Sequence, residues 1–209
     1  MVGRIIESLD CVAEGADWLR AHCPEFGPVL DQCPPLPLRR KKDGFETLLN
    51  AIVGQQVSVA AADAIWGRLK AAKLTGPRKI LWASDDELRA AGLSGQKVRY
   101  ARALADARID FKALRDQPDA EVIATLTEVT GIGVWTAEIY AMFSLGRADV
   151  FAHGDLALQE AAKEMLGLPK RPTEREMRAL AEPWSPWRSV AARALWAYYR
   201  VVKAREGIR

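Results

Sequence analysis

Three observations predict an all-α protein. Apolar residues recur at helical spacing, helix-start signals recur along the chain, and no stretch alternates apolar and polar residues between hairpin turns. The 209 residues are enough for one ordinary domain or two small ones with a real core. About half of them are apolar, which excludes a disordered chain.

The elements follow in order. From about Arg4 to Cys23, the spacing of Ile5, Leu9, Val12, Ala16 and Leu19 predicts a helix. Cys33-Pro-Pro-Leu-Pro-Leu then stops helical structure. Arg39-Arg40-Lys41-Lys42 marks a boundary and reads as a solvated basic linker, with a phosphate contact as the alternative. Asp43 and Glu46 have the spacing of a capping box for a helix through Val53. Gly54-Gln55-Gln56-Val57 interrupts it, and Ser58 caps the next helix, to about Ala72. Ser84 with Glu87 and Thr173 with Glu176 repeat the capping-box spacing. Gly92 to Lys97 joins two helices; Lys97 reads as a surface lysine, or alternatively as a phosphate contact. Pro118-Asp119 opens a helix into Leu126, and Ser185-Pro186 has the form of a cap plus first helical residue for the last helix.

Composition narrows the functional classes. A formal charge of +3 and a pI near 8.8 permit a nucleic-acid partner without requiring one. Seven Trp, against five Phe and four Tyr, indicate a Trp-rich core or an aromatic binding site. Cys11, Cys23 and Cys33 suit neither a zinc site nor a disulfide framework and read as reduced thiols. Charges interrupt the apolar positions of the N-terminus, so it does not read as a secretory signal, and no apolar run approaches membrane-spanning length. A cytoplasmic protein is expected.

The chemistry concentrates between Leu126 and Leu158. Gly131-Ile132-Gly133 allows a tight backbone turn, and the helix that follows presents free N–H groups and a positive dipole end there. Such a point binds phosphate, although a glycine turn between helices is more often merely a turn. Asp155, taken alone, is an ordinary helix N-cap before Leu-Ala-Leu-Gln.

Together these features resemble the helix-hairpin-helix DNA glycosylase superfamily, in which the aspartate after the hairpin is the catalytic carboxylate. Phe45 to Ala60, the hairpin, and Trp184 to Tyr198 are similar, in that order, to its 3-methyladenine DNA glycosylase II branch. The resemblance runs from Asp43 onward; the first 40 residues have no clear counterpart to that branch's N-terminal β domain. It implies two helical domains with a cleft between them, one of residues 43–149 and the other of 1–42 with 150–209.

It also implies site residues. Asp155 is the catalytic group, and Gly131, Gly133 and Thr136 take a DNA phosphate. Trp135 and Trp196 line the base pocket, while Ile139 stands where the family has a further aromatic residue. Nine residues separate Trp187 from Trp196, which puts them on opposite helix faces and assigns Trp187 to the core. Gln56 takes the place of the wedge that fills the gap left by the flipped base, where the better-known wedge is leucine; its other reading is a polar loop tip. His153 reads as a surface loop residue outside the site. The lyase-type members carry a nucleophilic Lys where this chain has Trp135, and they often hold an iron–sulfur cluster on C-terminal cysteines that are missing here.

The expectation is therefore a monofunctional glycosylase removing alkylated purines from duplex DNA, acting as a monomer with no required cofactor and no iron–sulfur cluster. The carbonyls of Thr127, Val129 and Ile132 are implied as holders of a monovalent cation. A non-catalytic binder of damaged DNA and a glycosylase for oxidised or deaminated bases are the alternatives.

Overall fold

The computed structural model describes residues 2–205. Among these residues twelve α-helices follow one another. The first six are α1 (Leu9–His22), α2 (Phe26–Gln32), α3 (Phe45–Gly54), α4 (Val59–Ala71), α5 (Pro77–Trp82) and α6 (Asp85–Ala90). The rest are α7 (Gly95–Asp106), α8 (Asp119–Thr127), α9 (Val134–Tyr140), α10 (Leu156–Leu166), α11 (Glu174–Leu180) and α12 (Arg188–Arg205). The only extended pairing among the described residues is an isolated antiparallel bridge between Ile5 and Arg147. The all-α expectation holds. No helix among them is long and apolar enough to cross a membrane.

The chain divides into two compact units, one of Lys41–Tyr140 with Val2, the other of Gly3–Arg40 with the described part of Ala141–Arg209. The first unit is built around α3, whose Phe45, Leu48, Leu49, Ile52 and Val53 are all buried. Their i, i+3, i+4, i+7 spacing makes one apolar stripe. It packs on α7, which supplies Val98, Ala101, Leu104 and Ala105, and α4 and α5 close around the pair. The second unit is built around α12, buried continuously from Ser189 to Leu195, with α1, α2 and α10 against it. Trp187 is 4% exposed and belongs to this core as expected, although it stands just before α12, so packing and not helical spacing puts it there.

Gly15 on α1 shows how closely that core fits. A methyl group there would lie 2.6 Å from a Val190 methyl carbon and 2.7 Å from the Trp187 ring. Alanine has the better helix propensity, by about 1 kcal/mol. Overpacking a rigid ring outweighs that gain, so Gly15→Ala is expected to lower unfolding stability by about 1–3 kcal/mol in denaturant titration.

Local signals placed several helix starts correctly. Ser58 caps α4, and Ser84 with Glu87 and Thr173 with Glu176 form complete capping boxes. Four other expectations fail, each for a physical reason. The first helix begins at Leu9 instead of Arg4, because the Ser8 hydroxyl accepts the Cys11 N–H and caps it there. Leu9 itself is 61% exposed, off the buried face. Apart from these four, the short helix α2, for which the sequence reading held no expectation, forms across Pro28, which sits in its first turn, where no intrahelical N–H partner is needed.

Asp43 caps nothing: its carboxylate takes the Arg115 guanidinium at 2.7 Å, and the N-cap of α3 is Gly44, whose N–H donates to the Tyr140 hydroxyl. Ser185 likewise does not cap the last helix. Its hydroxyl donates to Asp149 at 2.8 Å, the peptide to Pro186 is cis, and α12 starts only at Arg188, which forks onto the same carboxylate. The basic run is not wholly a solvated linker either, since Arg40 donates to the Ser144 carbonyl at 2.9 Å.

Candidate active site

The hairpin is the α8–turn–α9 segment. Gly131 has φ of +99°, a conformation that L side chains rarely adopt, and a methyl group on it would sit 2.3–2.7 Å from Tyr100. Glycine is required there twice over. Ile132 is 4% exposed and anchors the turn, while its N–H donates to the Val129 carbonyl at 2.9 Å. Gly133 is exposed, and a methyl group added to it would meet nothing within 4 Å. The turn is thus closed on the Tyr100 side and open at Gly133. Just beyond it, Val134 and Trp135 are 43% and 48% exposed, Thr136 is buried, and Ile139 is half-buried one turn past Trp135.

The loop that ends α3 is tied to this turn. Gln55 donates from Nε2 to the Gly131 carbonyl at 2.9 Å. Lys97 donates from Nζ to the Val53 carbonyl at 2.6 Å, where a cation suits the end of a helix. The lysine is buried, which pulls its pKa below the usual value, so it is not the surface lysine that the sequence suggested. Between these ties Gln56 is exposed in left-handed backbone, φ +56°, a conformation costing on the order of 1–3 kcal/mol for a non-glycine residue. Gln55, Gln56, Lys97, Tyr100, Gly131 and Gly133 line one groove of about 580 Å³. Sequence reasoning missed Gln55, Lys97 and Tyr100 as parts of this arrangement.

In the other unit, Asp155 is the N-cap of α10. Its Oδ1 accepts the N–H groups of Ala157 at 3.0 Å and Leu158 at 3.1 Å, and the indole N–H of Trp196 at 3.2 Å. The capping geometry read from the sequence is therefore present, and it brings the aspartate and Trp196 together. Trp196 is half-buried on α12, with its ring 5.7 Å from that of Phe143. His153 is not a surface residue. It is 7% exposed, its ring lies 5.1 Å from Phe151, and its carbonyl accepts from the Gln159 side chain.

This arrangement fixes a carboxylate at a helix N-terminus beside an aromatic ring, and separately an open backbone turn beside an exposed loop. A carboxylate held by three donors can stabilise a developing cation without rearranging. The open turn can admit an anion to backbone N–H groups. Among the described residues no group of three or more His, Cys, Asp or Glu could hold a metal ion, and the three cysteines are free thiols.

Residues 49–186 match the family described as HhH-GPD superfamily base excision DNA repair protein. Over 165 residues the chain is 33% identical to DNA-3-methyladenine glycosylase 1 of Schizosaccharomyces pombe, covering 75% of this chain and 72% of that protein. It is 31% identical over 179 residues to DNA-3-methyladenine glycosylase 2 of Escherichia coli, covering 78% and 60% respectively. Among solved structures, a DNA-3-methyladenine glycosidase from Bacillus halodurans matches with a TM-score of 0.82 at 31% identity, over 96% of this chain and 94% of that one. The S. pombe enzyme in complex with abasic DNA matches with a TM-score of 0.74 at 28% identity, over 88% and 95%. With the glycine turn, the aspartate beyond it and this extent of match, the chain belongs to the HhH-GPD superfamily of base excision DNA repair proteins.

Proposed function

We propose that the protein is a monofunctional DNA glycosylase that excises alkylated purines, of the 3-methyladenine and 7-methylguanine type, from duplex DNA. The observation that carries this reading is Asp155 held by α10 and by the Trp196 indole, in a chain whose relatives bear the names of 3-methyladenine glycosylases.

Methylation at N3 or N7 gives the base a positive charge, so it leaves as a neutral molecule without needing a proton. The C1′–N9 bond breaks with its electron pair going to the base, water forms the new bond to C1′, and the water's proton passes to Asp155 or to solvent. Asp155 stabilises the cationic sugar and orients that water, a form of electrostatic assistance. The nucleotide must first leave the stack, at a cost of a few kcal/mol. A cationic base gains about 0.5–2 kcal/mol on an aromatic face. Trp196, and in its own unit the exposed Trp135, each offer such a face, with Ile139 a turn further along α9. Trp135 stands where the lyase-type members carry lysine and has no amine to attack the sugar, which supports hydrolysis without strand cleavage.

Gly131, Gly133 and the Thr136 N–H are assigned to a DNA phosphate, and Gln56 to the gap left by the flipped base. The carbonyls of Thr127, Val129 and Ile132 suit a monovalent cation chemically, being neutral oxygen donors. Val129 already accepts one N–H and retains a second lone pair. A bound cation would add positive charge at the turn.

A panel of duplexes containing 3-methyladenine, 7-methylguanine, 8-oxoguanine, hypoxanthine or uracil tests the substrate assignment by free-base release. Release of the two methylated purines ahead of the other three is expected. Release confined to 8-oxoguanine, hypoxanthine or uracil would replace the alkylpurine assignment.

A further inference from the structure

The face of α12 that carries Trp196 also carries cations that form no ion pair among the described residues. At 100° per residue, Arg193, Trp196 and Arg200 lie within roughly 60° of arc. Arg193 is 1% exposed, with its guanidinium 4.7 Å from the centre of the Phe143 ring. It donates to the Ser189 carbonyl and hydroxyl and to the Leu38 carbonyl, all of them neutral, and its Nε meets no acceptor. The bond to Leu38, at 3.0 Å, brings the next residue, Arg39, to this face.

Arg39 is exposed and has left-handed backbone with φ of +52°, while Arg40 is held to the Ser144 carbonyl. Arg200 is exposed one turn beyond Trp196. The arginines feel one another: besides burial, Arg200 lowers the Arg39 pKa, and Arg39 and Arg40 help pull Arg193 down to about 10, with burial the larger cause.

Among the described residues none of Arg39, Arg40, Arg193 and Arg200 forms an ion pair. Elsewhere in the same unit Arg4, Arg20, Arg171, Arg178 and Arg188 each pair with a carboxylate. Four like charges with no ion pair among the described residues work against the free fold and suit an anionic ligand.

We propose that Arg39 and Arg200 form a phosphate clamp, taking a DNA backbone phosphate beside the nucleotide whose base meets Trp196. Arg193, which ties Leu38 to α12, and Arg40, which ties the next turn of chain to Ser144, are positioning residues for Arg39. Guanidinium groups bind phosphate through paired N–H donors, and two exposed forks near an aromatic ring and the Asp155 carboxylate match a strand with one base displaced. The clamp rests on the glycosylase reading.

Its test is the binding of wild-type protein, Arg39→Ala, Arg200→Ala and the double variant to a duplex carrying an abasic-site analogue, from low to physiological salt. The slope of log affinity against log salt is expected to fall by about 0.9 for each phosphate that is no longer neutralised. The Arg→Lys variants are expected to keep the slope, because the charge remains. A single uncharged methylphosphonate is then placed in turn at each position flanking the lesion. One position is expected to weaken the wild-type protein and not the double variant. A steep wild-type slope that the alanine variants leave unchanged overturns the clamp and leaves the glycosylase reading standing. Lysine variants whose slope drops as far as that of the alanine variants overturn it too, since the effect is then one of packing. A flat wild-type slope overturns the glycosylase reading together with the clamp.

Discussion

Asp155→Asn is expected to cut base release by at least about 10²–10³-fold, the scale of removing one electrostatic interaction with a transition state. Folding should scarcely change. Asparagine caps helices about as well as aspartate, and its amide oxygen can still accept the Ala157, Leu158 and Trp196 N–H groups. Asp155→Ala removes the cap as well and should cost about 1 kcal/mol of stability in addition. The pair of variants separates the observed cap from the proposed catalytic role: capping should survive in Asn and fail in Ala, whereas base release should fall in both. Affinity for an abasic-site duplex should survive in the Asn variant. An Asn variant that releases base at the wild-type rate would leave Asp155 as a cap and nothing more. Base release by neither the variant nor the wild-type protein, with DNA binding intact in both, would identify a binder of damaged DNA.

Gly131→Ala and Gly133→Ala are expected to fail differently, although the two positions are close neighbours in the same turn. Alanine at 131 meets both an unfavourable φ and the Tyr100 ring, so a loss of about 2–4 kcal/mol in unfolding stability is expected. The atoms it meets include the Tyr100 Cβ and Cγ, close to the backbone, so rotating the ring cannot relieve the contact. Alanine at 133 meets nothing within 4 Å, so stability should move by less than about 1 kcal/mol. Its methyl group would instead stand on the open side of the turn, where the proposed phosphate would approach the backbone, and DNA affinity should fall. Denaturant titration and DNA binding on both variants check this. A Gly133→Ala protein with full DNA affinity would argue against phosphate binding at the turn.

Local interactions decided what the sequence could show. Ser58, Ser84 and Thr173 were readable as caps because each bonds an N–H three residues away. Asp43 and Ser185 carried the same local signal, but partners 72 and 36 residues away claim them. Spacing rules have no access to such competition. The candidate site divides in the same way. The glycine turn and the aspartate after it are local patterns, and the resemblance attached roles to them. Lys97 reaches a carbonyl 44 residues off and Gln55 one 76 residues off, so nothing in their neighbourhoods marked those bonds. The bond from Trp196 to Asp155, 41 residues away, likewise exists only once α12 and α10 have packed.

The central claim is hydrolysis of the base–sugar bond with the strand left whole. A single time course on a duplex containing one 3-methyladenine, following free base and strand length together, tests it most directly. The expected result is free 3-methyladenine accumulating while the strand remains intact until hot alkali is added, with no protein–DNA adduct trapped by borohydride. Strand cleavage in step with base release and a borohydride-trapped adduct would contradict the account, as would no released base at all.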